Sequence, residues 1–297
     1  MKNFTRREFV KTGLAGVSAV SAGFAFSCAA AGVEKIDKVV LGDTGLEVSR
    51  LALGTGFHGG GRSSQLTRAG IDQFLKIARH AYERGITFLD TADSYGTHTF
   101  ARELFKEIPR EKFQVLTKIW TTDNDWNKVV PANETLDRFK KELGTDHFDI
   151  VLLHCMRNGN WITEKESLRD QLSEAKQKGE VKKIGVSCHN IDALRVAATD
   201  PWVDIILARI NPQQLSMDGT PEEIMQILNT AKNNGKGIIG MKIYGAGKIK
   251  DVEHRRESLN FALKSENIHA ITIGMDRIEH LDDTVDRIVA INNGLKG

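Results

Sequence analysis

Hydrophobic and polar positions alternate on two length scales along this chain. KVVLGDTGLEVSRLALG begins with two short apolar runs around a Gly-Asp-Thr-Gly turn, the pattern of a β-hairpin. Beyond it lie apolar runs of strand length: RLALG (50–54), ITFLD (86–90), FQVLTK (113–118), FDIVLLH (148–154), KKIGVS (182–187), VDIILA (203–208), GIIGMK (237–242) and HAITIG (269–274). Longer stretches with helical spacing separate them, such as GIDQFLKIARHAYERG and TPEEIMQILNTAKNNG, the latter closed by Gly235 as a C-terminal stop. Strands that are apolar throughout belong to a parallel sheet covered on its outside. Eight such units in about 260 residues predict a (β/α)8 TIM barrel, an α/β fold, preceded by an N-terminal hairpin. An open doubly wound sheet would want a glycine fingerprint after its first strand. GTGFHGGGR does not supply G-x-G-x-x-G in a strand–turn–helix setting.

The first residues follow another pattern. MKNFTRREFVKTGLAGVSAVSAGFAFSCAAAG has a basic head, an apolar Gly/Ala/Ser-rich stretch and alanines suited to cleavage around Ala29-Ala30-Ala31. The stretch is short for a membrane span. Residues 1–31 therefore read as a signal segment and 37–297 as the barrel. Thr5 to Lys11, TRREFVK, resembles the twin-arginine export signal, which implies passage through the twin-arginine machinery as a folded protein, often with cofactor bound, to the periplasm or cell envelope. Cys28, in AFSC, sits where a relaxed lipoprotein box would place a lipid-bearing cysteine, although Ala25 stands where a branched aliphatic residue is usual. A membrane enters only through that lipid.

Composition is that of an ordinary globular protein, with a formal net charge of +2. The first 35 residues hold five Lys/Arg against two acids, so the remainder is near neutral and gives no electrostatic reason for a nucleic-acid partner. Three cysteines form no disulfide framework, and no His/Cys/Asp spacing resembles a metal site. Cys155 and Cys188 end neighbouring strands, where an oxidising compartment could join them; two buried thiols are the default.

Catalytic groups in a barrel lie at the carboxyl ends of the strands and in the loops that follow. Four ionisable residues fall there: Asp90 ends the second barrel strand, Tyr95 lies in its loop, Lys118 ends the third and His154 the fourth. Adjacent parallel strands bring them to one side of the mouth. A tyrosine is a poor acid near neutrality; a lysine beside it favours the phenolate, an aspartate holds the lysine, and a histidine can orient a carbonyl. Each also has a structural use, as a helix cap, loop aromatic, solvated strand end or satisfied core histidine. The set suits proton delivery to a carbonyl oxygen while hydride arrives at carbon. Phe57, His58, Arg62, Trp120, Trp126, Met156, Arg157 and Trp161 follow the first, third and fourth strands, and Phe57, Trp120 and Trp161 are the candidates for binding a sugar or other polar carbonyl compound.

FLDTADSYG, VLTK and LLH, in this order and spacing, resemble the aldo-keto reductases, as does LGDTGLEVSRLALGTG. The resemblance implies a barrel that holds NADP or NAD in an extended groove, with Tyr95 as general acid/base, Lys118 and Asp90 tuning it, and His154 orienting substrate. It places the nucleotide on Gly54, Ser187, Asn190, Gly245, Gly247, Gly274 and Arg277, with GMKIYGAG (240–247) as the phosphate-loop segment. Several positions depart from the family pattern: Cys188 and Leu207 stand in place of asparagine and glutamine, and Gly274, His280 and Thr284 in place of lysine, arginine and asparagine. That leaves Arg277 as the nearby strong cation and the choice of nucleotide open. The residues are also compatible with a sugar-binding barrel or pseudoenzyme, and with a non-redox lyase or isomerase using Tyr95 and Lys118. An exported enzyme meets little free nucleotide, so the redox reading expects a tightly held cofactor.

Overall fold

In the computed structural model, which describes residues 34–294, eight parallel strands close into a barrel. A hairpin comes first: β1 (Lys38–Val40) and β2 (Glu47–Ser49) pair antiparallel around a 3-10 turn over Gly42–Thr44, as the Gly-Asp-Thr-Gly run predicts. The barrel strands are β3 (Leu51–Gly54), β4 (Phe88–Asp90), β5 (Gln114–Trp120), β6 (Phe148–Met156), β7 (Val181–Cys188), β8 (Ile205–Arg209), β9 (Gly237–Met241) and β10 (Ala270–Gly274). Each pairs with the next, and β10 closes on β3 through the Gly274–Gly54 pairing. Every apolar run expected to be a strand is one. β5, β6 and β7 run further than the apolar pattern, adding Trp120, Met156 and Cys188.

Strand parity decides what reaches the mouth. Ala52, Phe88, Leu116, Ile150, Leu152, Ile205, Leu207, Ile239, Met241 and Ala270 form the cluster inside the barrel. Their neighbours in sequence, such as Leu53, Leu89, Val115, Val151 and Ile206, pack against the helices. Side chains two positions past an inward residue again point inward. Gly54, Asp90, Lys118 and His154 therefore share the inward face, one step above the apolar layer. Leu41 and Val48, from the hairpin, join the inner cluster from below and close the barrel's amino-terminal end. Charge then sits at one end of the barrel by geometry, because the other end is plugged with hydrocarbon.

The strand packing leaves no room for a side chain at Gly185, whose Cβ would sit 1.9 Å from the Ile205 carbonyl oxygen, whereas a Cβ at Gly60 meets nothing within 4 Å. Gly185→Ala is expected to destabilise the fold by about 3 kcal/mol or more and Gly60→Ala to leave it nearly unchanged, read from urea unfolding midpoints; equal midpoints would contradict this packing.

Candidate active site

Asp90 and Lys118 form the centre of the mouth. Lys118 is fully buried, and its ammonium donates to Asp90 Oδ1 and, at 2.9 Å, to the Thr91 carbonyl. Thr272, in the middle of β10, donates to Asp90 Oδ2 at 2.7 Å, so both carboxylate oxygens are held. Thr55 ties the Asp90 carbonyl at 2.8 Å. Burial pushes the Lys118 pKa down and Asp90 opposes it. An ammonium in this setting is tolerable only because its partner and a carbonyl are fixed around it.

Tyr95 is carried by a 3-10 turn over Asp93–Tyr95, directly after β4. That turn is clamped by its first residue: buried Asp93 accepts from Arg138 at 2.7 and 3.0 Å and lies 3.2 Å from Arg62 Nε. The two acids of TFLDTADSYG therefore do different work. Asp90 holds Lys118, and Asp93 holds the loop that aims the phenol. Gly56 gives the ring its space, since a Cβ there would lie 2.3 Å from Tyr95 Cζ. The Lys118 ammonium stands over the Tyr95 ring, 4.7 Å from its centroid. Among the described residues nothing hydrogen-bonds the Tyr95 hydroxyl, which faces the cavity. Burial and Asp90 together hold the phenol well above its ordinary pKa. The expected lowering by Lys118 is not found: burial first, then the Asp90 charge, raise the phenol's pKa, so Tyr95 is a protonated phenol ready to donate.

His154 completes the group, its ring edge-on to Tyr95 at 5.7 Å and to Trp120 at 5.2 Å. Burial first, then Lys118, His189, Lys242 and Arg157, push its pKa well below 6.5, so the imidazole is neutral. Ser94 Oγ lies 3.5 Å from Nδ1. With that hydroxyl donating, the ring proton sits on Nε2, the nitrogen free to donate. Ser94, Gly56, Thr272 and Asp93 all support the site. Only the immediate adjacency of Asp93 and Ser94 to Tyr95 could have marked them in the sequence.

A groove of about 430 Å³ runs from Asp90 and Tyr95 past Gly54, Gly247 and Gly274 to Lys250, Arg255, Asp276, His280 and Thr284. A Cβ at Gly54 would lie 2.9 Å from the Ile273 carbonyl carbon, and at Gly274 2.8 Å from Phe57 Cβ. Small residues, an apolar wall of Leu207, Met241, Ile243 and Met275, and the cations Lys250 and Arg255 fit a dinucleotide with its phosphates.

Several expected contacts lie elsewhere. Arg277 occupies the N-cap of the last helix (Ile278–Asn292), exposed and outside the groove; Lys250 and Arg255, from the loop and helix after β9, are the cations that line it. Asn190 caps its own helix (Ile191–Thr199), accepting from the amides of Asp192 and Ala193. Ser187 Oγ is buried and accepts from the Cys155 amide at 2.9 Å. Gly245 is buried below the groove, its missing Cβ 2.9 Å from Leu215. Phe57 lies against Gly247 and Gly274, across the nucleotide groove. Trp120 stands at the mouth beside His154 and Trp126. Trp161 is only 1% exposed and bonds the Ala193 carbonyl at 3.3 Å, so it packs a helix and does not reach the mouth.

A bulge in β6 turns Cys155 into the left-handed region at φ 64°. It brings Cys155, His154 and His189 together with ligating atoms within 4.8 Å of one another, a grouping the sequence spacing did not reveal. Lys118, Arg157, Arg209 and Lys242 lie close enough to perturb these groups, and such charges oppose a metal cation there. Cys155 and Cys188 are both free thiols. Residues 1–31, including Arg6, Arg7 and Cys28, lie outside the described residues. Among those described, no helix is long and apolar enough to cross a membrane.

The chain matches the Aldo/keto reductase family model over residues 50–295, and it belongs to that family. It is 27% identical to the NADH-specific methylglyoxal reductase of Escherichia coli over 219 residues, covering 67% of this chain and 64% of that protein. It is 21% identical to the L-galactose dehydrogenase of Arabidopsis thaliana over 296 residues, covering 87% and 90%. The chain spans about half the length of curated relatives that match it at 29–31% identity. The holo form of an aldo-keto reductase from Bacillus halodurans shares the fold, with a TM-score of 0.67, 18% identity and coverage of 85% and 91%.

The mouth histidines set a pH limit. Burial and then Arg209 push His189 down to about 3 from an ordinary 6.5, so as pH falls below 6.5 the unfolded chain binds protons that the folded protein refuses. Stability is present above pH 6.5 and drains away towards pH 3. Between pH 7 and 4.5 His189 alone is expected to remove on the order of 2 kcal/mol, and His189→Gln to recover it, measured by urea unfolding at both pH values. An unchanged pH slope in the variant would contradict the assignment.

Proposed function

We propose that this protein is an NAD(P)-dependent oxidoreductase that interconverts a carbonyl and an alcohol. The observation that carries the reading is the Tyr95 hydroxyl: unpartnered among the described residues, held protonated, and facing a glycine-lined groove between a neutral histidine and a buried Lys118–Asp90 pair. A nicotinamide bound in that groove supplies or accepts hydride. In the reducing direction the substrate oxygen lies between Tyr95 and His154, where Nε2–H of His154 orients it and Tyr95 gives up its proton. Lys118 then stands beside the phenolate and stabilises it, and Asp90 with Thr272 keeps the ammonium from moving. In the oxidising direction the same phenolate takes the alcohol proton.

Lys250 and Arg255 in the groove weaken the pseudoenzyme reading, which rested on a nucleotide end short of cations. Small carbonyl compounds and sugars are the substrate chemistry in the names of the relatives. Trp120 and Trp126 leave an aromatic wall for such a substrate, while Phe57, across the groove, favours a tightly held nucleotide. TRREFVK supports export through the twin-arginine route with that nucleotide already loaded.

Replacing Tyr95 by Phe is expected to lower kcat by at least about 100-fold while NADPH affinity stays within about threefold, followed by the nicotinamide absorbance during turnover of a carbonyl panel. Turnover without an absorbance change would point to a lyase or isomerase, and undiminished activity would remove Tyr95 from the mechanism. For export, Arg6→Lys with Arg7→Lys is expected to leave the protein in the cytoplasmic fraction, and continued export would refute the route.

A further inference from the structure

Four consecutive strands each deliver a basic group to the side of the mouth opposite Asp90. Arg157 follows β6, His189 follows β7, Arg209 ends β8 on the inward parity, and Lys242 follows β9. They are neighbours through the barrel: His189 N donates to Met156 O at 2.8 Å, and Arg209 pairs with Met241. Arg209 is fixed by Asp218 at 3.1 Å and by a hydrogen bond donated to His189 Nδ1, yet its Nε–H has no partner. The Lys242 ammonium, half-buried on the same cavity as Asp90 and Tyr95, has no hydrogen-bond acceptor or ion-pair partner among the described residues. The same is true of Arg157, which is exposed.

Charge does not balance here as it does on the other side. Asp90 neutralises Lys118, and Asp218 neutralises Arg209; Lys242 and Arg157 remain as surplus positive charge. Burial, then Arg209, lowers the Lys242 pKa, so its charge is costly without a counter-charge. Its backbone is also in the left-handed region at φ 61°, held by hydrogen bonds from Asn211 Nδ2 at 3.1 Å and Gly245 N at 2.7 Å to its carbonyl. A residue with a Cβ in that conformation costs on the order of 1 kcal/mol, and such strain collects at functional sites. The left-handed turn departs from strand geometry and leaves the ammonium on the cavity beside Tyr95.

We propose that the substrate of this enzyme carries a carboxylate in addition to its reacting carbonyl, held by Lys242 with Arg209 and Arg157. The inference rests on the redox reading above and narrows it to oxo acids and acidic sugars. The anchor is separate from the Tyr95–His154 pair that meets the carbonyl oxygen. It orients the substrate by a charge-assisted contact across the mouth.

Two anions can reach Lys242, a substrate carboxylate and a phosphate of the nucleotide, and one set of measurements separates them. With the whole protein and NADPH, the ratio of kcat/KM for D-galacturonate to that for D-galactose is expected to exceed 10. Lys242→Met is expected to lower that ratio at least tenfold, Lys242→Arg to restore most of it, and NADPH affinity by fluorescence titration to stay within twofold in both. Calorimetry without nucleotide supplies a reading that needs no turnover. D-Gluconate is expected to bind the wild type and not Lys242→Met, and D-sorbitol to bind neither. If Lys242→Met weakens NADPH binding and leaves the ratio unchanged, the charge serves the nucleotide and the proposal fails. Equal use of acid and neutral sugar, or gluconate binding that survives Lys242→Met, also overturns it. Absence of any NADPH turnover alongside Lys242-dependent gluconate binding would refute the redox reading and keep the carboxylate site.

Discussion

The mouth of this barrel is organised around one buried ion pair. Lys118 has no exposed surface, so its charge survives only through Asp90 and the Thr91 carbonyl. Removing one partner from such a pair typically costs about 3–5 kcal/mol, because the other is left buried and uncompensated. That requirement fixes the register of β4 against β5, since only the observed parity sets Asp90 and Lys118 inward together. It also explains Thr272 at the far side of the closure, which holds the second carboxylate oxygen. Once the pair is fixed, Tyr95 has a cation over its ring and a carboxylate behind it.

What surrounds the pair tunes each group in one direction. Desolvation keeps Tyr95 protonated and His154 neutral, so both can donate a hydrogen bond into the mouth. The clamp of Asp93 by Arg138 and Arg62 and the missing side chain at Gly56 set the distance at which they act. Among the described residues, the seven non-glycine residues with positive φ lie in loops or bulges on this face: His58, Arg62, Cys155, Gln214, Ser216, Lys242 and Ala246. The strain is concentrated where side chains must be aimed away from regular strand geometry.

The eight barrel strands and the hairpin were legible in the sequence because each is a mostly apolar run between turn signals, and inward parity followed from counting by two. Asp90, Lys118 and His154 were legible for the same reason, as polar residues where such runs stop. The nucleotide end was read less well. Asn190 has the chemistry of a carboxamide contact, but it precedes a helix and its side chain is used by that helix's first amides. Trp161 looked like a mouth aromatic, yet its four-residue helix turns it into the core. Lys250 and Arg255 lie in a loop and helix whose path across the groove no local pattern specifies. Arg209 was hidden because, at the polar end of an apolar strand, it looks like an ordinary solvated strand end, and only its inward parity, two residues past Leu207, marks it.

The groove beside Tyr95 is proposed to hold a nicotinamide nucleotide. Fluorescence titration of the purified protein with NADPH and NADH, after removal of any nucleotide carried through purification, tests it most directly. Saturable binding of at least one, with quenching or energy transfer from protein tryptophan, is the predicted result. No binding of either nucleotide, with the protein folded, would contradict the account and leave the Tyr95–Lys118–Asp90–His154 group without its redox partner.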